Sequence, residues 1–166
     1  MSDDKQRLRD TAERLALILA QGGMQKTNAR VMTALLFSQQ ETLTAAELCE
    51  ELRISSGAVS GAVKQLTPIG LLERVPTPGS RLDHYRFTDG AWAKLMGQQN
   101  QLLATMSSVA QEGMTASGGP DTAAGRRMRE MEDFYGFIQR EVGPLIDRWR
   151  TEFAAKGDTA SGLAPR

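Results

Sequence analysis

The stretch RISSGAVSGAVKQLTPIG, residues 53–70, constrains this chain more than any other. Its apolar residues recur at helical spacing, with Val59, Ala62, Val63 and Leu66 on one side. The opposite side holds Ser56, Gly57, Ser60, Gly61 and Lys64, so a single lysine is its only long side chain. Each glycine costs a helix about 0.5–1 kcal/mol relative to alanine. Such a helix forms only if its apolar side is packed, and its bare side lets another body come close.

The packing partners lie upstream. In ETLTAAELCEEL, Thr44 is an N-cap and Glu47 completes a capping box, which predicts a short helix ending near Leu52. Its Leu48 and Leu52 face the apolar side of the next helix. Arg53-Ile54 makes the turn, and Ser55 caps that next helix. Two helices precede these. Residues 3–21 place Leu8, Thr11, Ala12, Leu15, Ile18 and Leu19 on one stripe and end at Gly22-Gly23, and residues 26–39 carry Val31, Met32, Leu35 and Leu36. Pro68 removes the hydrogen bond to the Lys64 carbonyl, so the helix opened at Ser55 should tighten or stop there.

Downstream, LLERVPT and LDHYRFT read as two short strands around the turn Pro78-Gly79-Ser80. A long helix is predicted over 91–112, TASGGPDT breaks it, and a last helix covers 122–155. Three helices followed by a β-hairpin is the order of a winged helix-turn-helix, a DNA-reading device. The expected fold is therefore mainly α with a small β-hairpin wing. Four parts are expected: an N-terminal dimerisation helix (1–23), a winged DNA-binding domain (24–92), a C-terminal helical dimerisation arm (93–156) and a disordered tail (157–166).

A recognition helix has to bring its backbone into a major groove about 12 Å wide. Serine and glycine let it sit deep, the hydroxyls of Ser55, Ser56 and Ser60 can donate to phosphates or bases, and Lys64 can reach either. The helix N-terminus adds affinity for a phosphate. Gly57 and Gly61 would equally allow close packing against another helix of the same protein. Arg81, beside the hairpin turn, is placed to enter a minor groove, though an idle exposed arginine would look the same. Arg86 is a weaker candidate and Arg74 another, while His84 is expected to pack within its strand.

Composition narrows the classes. Net charge is zero, but Arg53, Lys64, Arg74, Arg81 and Arg86 face only Glu73 and Asp83 across residues 53–86. One cysteine and one histidine leave no disulfide framework and no metal site, and no cofactor is expected. Cys49 is read as structural rather than redox-active. No apolar run approaches the length of a membrane span, and the N-terminus lacks the layout of a secretory signal, so a cytoplasmic protein without membrane contact is expected. No nucleophile–base set, paired acids or phosphate loop points to an enzyme.

In the last helix Met128, Met131, Tyr135, Ile138, Val142, Leu145 and Trp149 alternate spacings of three and four, a heptad seam. A winged domain alone cannot cover it. A homodimer is expected, with Leu8, Leu15 and Leu19 of the first helix joining Met131 to Trp149 of the last. Packing inside one chain would account for part of this surface. Gly143-Pro144 should kink the helix. Met96, Met106, Met128 and Met131 would suit a pocket for a small hydrophobic effector, or simply fill core.

LTAAELCEELRISSGAVSGAVKQLTPIGLLERV, followed by PGSRLDHYRFTD, resembles the MarR family of bacterial transcription regulators, most closely its GbsR-like branch. The resemblance covers residues 25–95. It rests on Ser55 to Ser60, on Gly70 to Arg74 and on Gly79 to Arg81. It implies a homodimer binding a pseudo-palindromic operator in double-stranded DNA, usually as a repressor and often released by a small ligand. Many relatives carry several charges on the recognition helix, whereas this chain has only Lys64. The alternative is a winged-helix protein-interaction module without sequence-specific DNA binding.

Overall fold

The computed structural model describes residues 3–161, with side chains described to Phe153. The chain divides into two compact units, with the boundary between Ala91 and Trp92.

The first unit is built around α2 (Lys26–Leu36), which packs against α1 (Asp3–Gln21), α3 (Ala45–Leu52) and α4 (Ser56–Leu66). Val31, Met32 and Leu35 of α2 meet Leu48, Val59, Leu66, Leu71 and Leu72 in a core with almost no solvent access. Full burial of one such side chain contributes about 1.5–3 kcal/mol. Three buried positions on α4, Val59, Ala62 and Leu66, thus outweigh the propensity cost of its two glycines. On α1, Ala16 is buried while Leu8, Leu15 and Leu19 are half-buried, and Leu17 and Ile18 face solvent. Glu13 of α1 pairs with Arg30 of α2 at 2.8 Å, and Arg30 also donates to the Leu52 carbonyl at the end of α3.

The predicted hairpin forms from β2 (Leu72–Val75) and β3 (His84–Phe87), with Leu72 opposite Phe87 and Val75 opposite His84. A third strand, β1 (Leu43–Thr44), pairs antiparallel with β3 on its other edge, giving the order β1-β3-β2. This strand is absent from the sequence-based expectation. Two residues are too few to show strand periodicity, and their partners lie far along the chain.

Three helix ends close in the same way, with the backbone turned left-handed by a glycine. Gly23, Gly70 and Gly118 have positive φ after α1, α4 and α5 (Ala91–Ala116), and the next residue's N–H returns to the helix at Leu19, Leu66 and Met114. The helix α4 stops at Leu66 with Thr67 as its C-cap, one residue before Pro68, as that proline requires. The helix α2 ends at Leu36, three residues earlier than expected.

In the second unit α5 and α6 (Ala123–Ser161) run antiparallel. Gly113 lies against Met128, Gly136 against Ser107, Gly143 against Asn100 and Gly97 against Arg150. At each of these glycines the missing Cβ leaves room for a side chain of the other helix. Thr122 caps α6 by accepting from the Gly125 N–H at 2.9 Å. The helix α6 runs on through Pro144 to Ser161. It therefore includes part of the expected tail, and residues 162–166 lie outside the described residues.

The heptad seam is divided. Met131, Tyr135, Ile138 and Val142 are half-buried, whereas Leu145 and Trp149 are exposed. On the adjoining stripe of α6, Phe134 (58%) and Phe137 (53%) are exposed as well. Trp149 stacks on Phe153 with ring centroids 4.8 Å apart.

Candidate nucleic-acid interface

The helix-turn-helix is assembled from local hydrogen bonds. Thr44 Oγ1 accepts from the Glu47 N–H at 3.3 Å, and Glu47 Oε2 accepts from the Thr44 N–H at 2.7 Å, closing the expected capping box. Donation from the Thr44 backbone and hydroxyl lowers the Glu47 carboxyl below its ordinary value, and His84 adds to the same effect. At the far end of α3, Arg53 takes φ 52° and ψ 47°, and the N–H groups of Arg53 and Ile54 both return to the Cys49 carbonyl. Arg53 is the one non-glycine residue with positive φ among the described residues. Ser55 then caps α4, its hydroxyl accepting from the Ala58 N–H at 3.2 Å.

The bare face of α4 points to solvent. Ser55, Ser56, Gly57, Ser60 and Lys64 are exposed and Gly61 is half-buried. A Cβ added at Gly61 would meet nothing within 4 Å, and one at Gly57 would meet only the Ser55 hydroxyl at 4.0 Å. Among the described residues no other helix of the unit packs over these two glycines, so the alternative of an internal glycine contact does not apply there. Gln65, at the edge of this face, accepts from Asn28 Nδ2 at 2.7 Å, which fixes the rotation of α4 against α2. Lys64 makes no ion pair among the described residues.

The wing turns through Thr77-Pro78-Gly79-Ser80. Gly79 has φ 80°, and the Ser80 N–H donates to the Thr77 carbonyl at 3.1 Å, as in a type II turn. Arg81 is exposed and makes no hydrogen bond or ion pair among the described residues. Arg86 is in a different state. Its Nε sits 2.5 Å from Glu73 Oε1 on the neighbouring strand, and this hydrogen bond and charge raise its already high pKa. Arg74 is likewise paired with Asp83. Of the wing arginines, Arg81 alone has an uncommitted charge. His84, expected to pack within its strand, instead has both ring nitrogens hydrogen-bonded, to Thr42 and Ser80. Cys49 is half-buried in α3.

Three features of this region escaped sequence reasoning. The Asn28–Gln65 bond joins distant positions and left no local signal. The same is true of the His84 bridge. The left-handed Arg53 had a signal, since a helix-turn-helix needs such a residue at its turn and glycine often supplies it.

The layout of α2, α3, α4 and the β2–β3 wing is that of a winged helix-turn-helix, the class of fold to which DNA-reading regulators belong. Comparison with known proteins places it more narrowly. Residues 23–81 match the model of the MarR family, and residues 90–152 match that of the MmpR5-like MarR family transcriptional regulators. Together the two matches span most of the chain, and it belongs to the MarR family. The arm matches the MmpR5-like description, where the sequence resemblance pointed to the GbsR-like branch. The HTH-type transcriptional regulator MmpR5 of Mycobacterium tuberculosis is 28% identical over 120 residues, covering 72% of this chain and 73% of its own length. A crystal structure of a transcriptional regulator shares the fold with a TM-score of 0.75, over 87% of this chain and 99% of its own, at 23% identity. No helix among the described residues is long and apolar enough to cross a membrane.

Proposed function

We propose that the protein is a homodimeric, sequence-specific repressor that docks α4 in the major groove of a pseudo-palindromic operator. The observation that carries this reading is the open space over Gly57 and Gly61 on an exposed face otherwise made of serines and one lysine. Ser55, Ser56 and Ser60 contact phosphates or base edges, Lys64 a phosphate or guanine, and Arg81 the minor groove. Arg86 contributes less, because Glu73 already satisfies it. With one charge on the helix, selectivity leans on close backbone approach and DNA shape.

Two such helices about 34 Å apart match half-sites one DNA turn apart. Phe134, Phe137, Leu145 and Trp149 form an exposed apolar stripe of the kind that a subunit interface covers, with Leu8, Leu15 and Leu19 of α1 contributing on the other unit. The half-buried Met106, Met128 and Met131 suit a small hydrophobic effector that favours one arrangement of the dimer and releases the operator. The protein acts in the cytoplasm.

The test is fluorescence anisotropy with duplex from upstream of its own or a neighbouring gene, against random duplex. Specific binding should weaken steeply with salt, in proportion to the phosphates contacted. Lys64→Ala with Arg81→Ala should reduce it by two orders of magnitude. Equal affinity for both duplexes would favour a protein-interaction module instead. Native mass spectrometry of the same preparation reads subunit number and any retained ligand.

A further inference from the structure

His84 is the chain's single histidine and stands in β3, the central strand of the sheet. Its backbone is in register with Thr44 of β1 on one edge and Val75 of β2 on the other. Its ring reaches in two directions. Nδ1 lies 3.2 Å from Thr42 Oγ1, just before β1, and Nε2 lies 3.0 Å from Ser80 Oγ at the end of the wing turn. Each hydroxyl can donate to the ring or accept from it, so the bridge forms with either tautomer.

Ser80 Oγ has a second partner, the Leu82 N–H at 3.1 Å. The residues on both sides of Arg81 are thus held by one hydroxyl, and that hydroxyl is held by the histidine. The other side-chain ties of the loop, Arg74 to Asp83 and Tyr85 to Asp83, act at its base rather than its tip. Arg81 has no partner of its own among the described residues. Its placement depends on the backbone that carries it, and an arginine on a wandering loop loses affinity to the cost of ordering that loop on binding.

We infer that His84 is a positioning residue of the wing: the bridge Thr42–His84–Ser80 holds the segment from which Arg81 reaches the DNA. This rests on the reading of Arg81 as a DNA contact, and it adds a residue that itself touches no DNA.

The experiment uses the full chain and a duplex recovered from a random-sequence library by binding to the wild-type protein. Anisotropy titrations compare Arg81→Ala, Ser80→Ala, His84→Ala, His84→Gln and the double variant Arg81→Ala/Ser80→Ala. Ser80→Ala and His84→Ala should each weaken binding about tenfold. His84→Gln, whose amide reaches as far as Nε2, should restore most of it. In the Arg81→Ala background Ser80→Ala should add almost nothing, because both changes remove one contact. Ser80 sits on an exposed turn, so its variant reads out even if the histidine variants lose stability in thermal unfolding. Full additivity in the double variant, or wild-type affinity for Ser80→Ala while Arg81→Ala binds weakly, overturns the inference alone. Wild-type affinity for Arg81→Ala overturns the wing contact itself, and the inference with it.

Discussion

Asn28 Nδ2 donates to Gln65 Oε1 at 2.7 Å, joining the central helix α2 to α4 across 37 positions of sequence. Asn28 is buried and Gln65 exposed, so the bond is made at the rim of the core. Asn28→Ala leaves Gln65 free to hydrate and should cost about 1 kcal/mol, the worth of one hydrogen bond. Urea unfolding should show a lower midpoint with an unchanged slope.

The capping box gives stability a pH dependence of definite sign. The folded Glu47 carboxyl lies below its ordinary value of 4.5. Its contribution is therefore complete above the unfolded value and is lost as pH falls through the folded one. Thr44→Ala should cost about 1 kcal/mol at neutral pH. Glu47→Gln should melt below wild type at pH 7, and the gap should close on acidification as the wild-type carboxyl takes up its proton, which thermal scans across the acid range will record.

Gly61 separates folding from function. A methyl group there meets nothing within 4 Å, and alanine favours a helix by about 0.5–1 kcal/mol. Gly61→Ala should raise the melting temperature yet weaken operator binding, since the added carbon holds α4 away from the groove. Tighter binding by this variant would count against groove docking.

Arg53 holds the backbone shape that glycine supplies at Gly23, Gly70 and Gly118. The left-handed conformation costs a side-chain-bearing residue about 1–2 kcal/mol. A basic residue at the end of α3 regains about 0.3–1 kcal/mol from the helix dipole, which does not cover that cost. Arg53→Gly should thus stabilise the first unit, read as a higher urea midpoint.

In the arm, a Cβ on Gly125 would lie 1.9 Å from the Gly119 carbonyl oxygen. Gly125→Ala must push the α5–α6 connection away from the first turn of α6. Overpacking of this sort costs about 1–3 kcal/mol. Limited proteolysis should cut the connection faster in the variant than in wild type.

Helix starts were legible wherever the deciding bond spans three residues or so. Thr44 with Glu47 and Ser55 with Ala58 are examples, because donor and acceptor are written side by side. The strand β1 was not legible, since Leu43 and Thr44 become a strand only through Tyr85 and His84. The heptad seam showed a spacing but not a side. Which of its residues α5 covers is set by glycines at 97, 113, 136 and 143, whose meaning depends on the partner helix. Among the arginines, nothing in their spacing distinguished Arg81, left free, from Arg86, held by Glu73.

Residue order was enough to specify the helix-turn-helix and the apolar side of α4, because periodicity and capping are short-range properties of the chain. Three features waited on the folded chain: the small-residue face stays uncovered, one wing arginine keeps its charge available, and His84 reaches Ser80. Each of these depends on which distant groups come within hydrogen-bonding or packing range, and chain order does not record that.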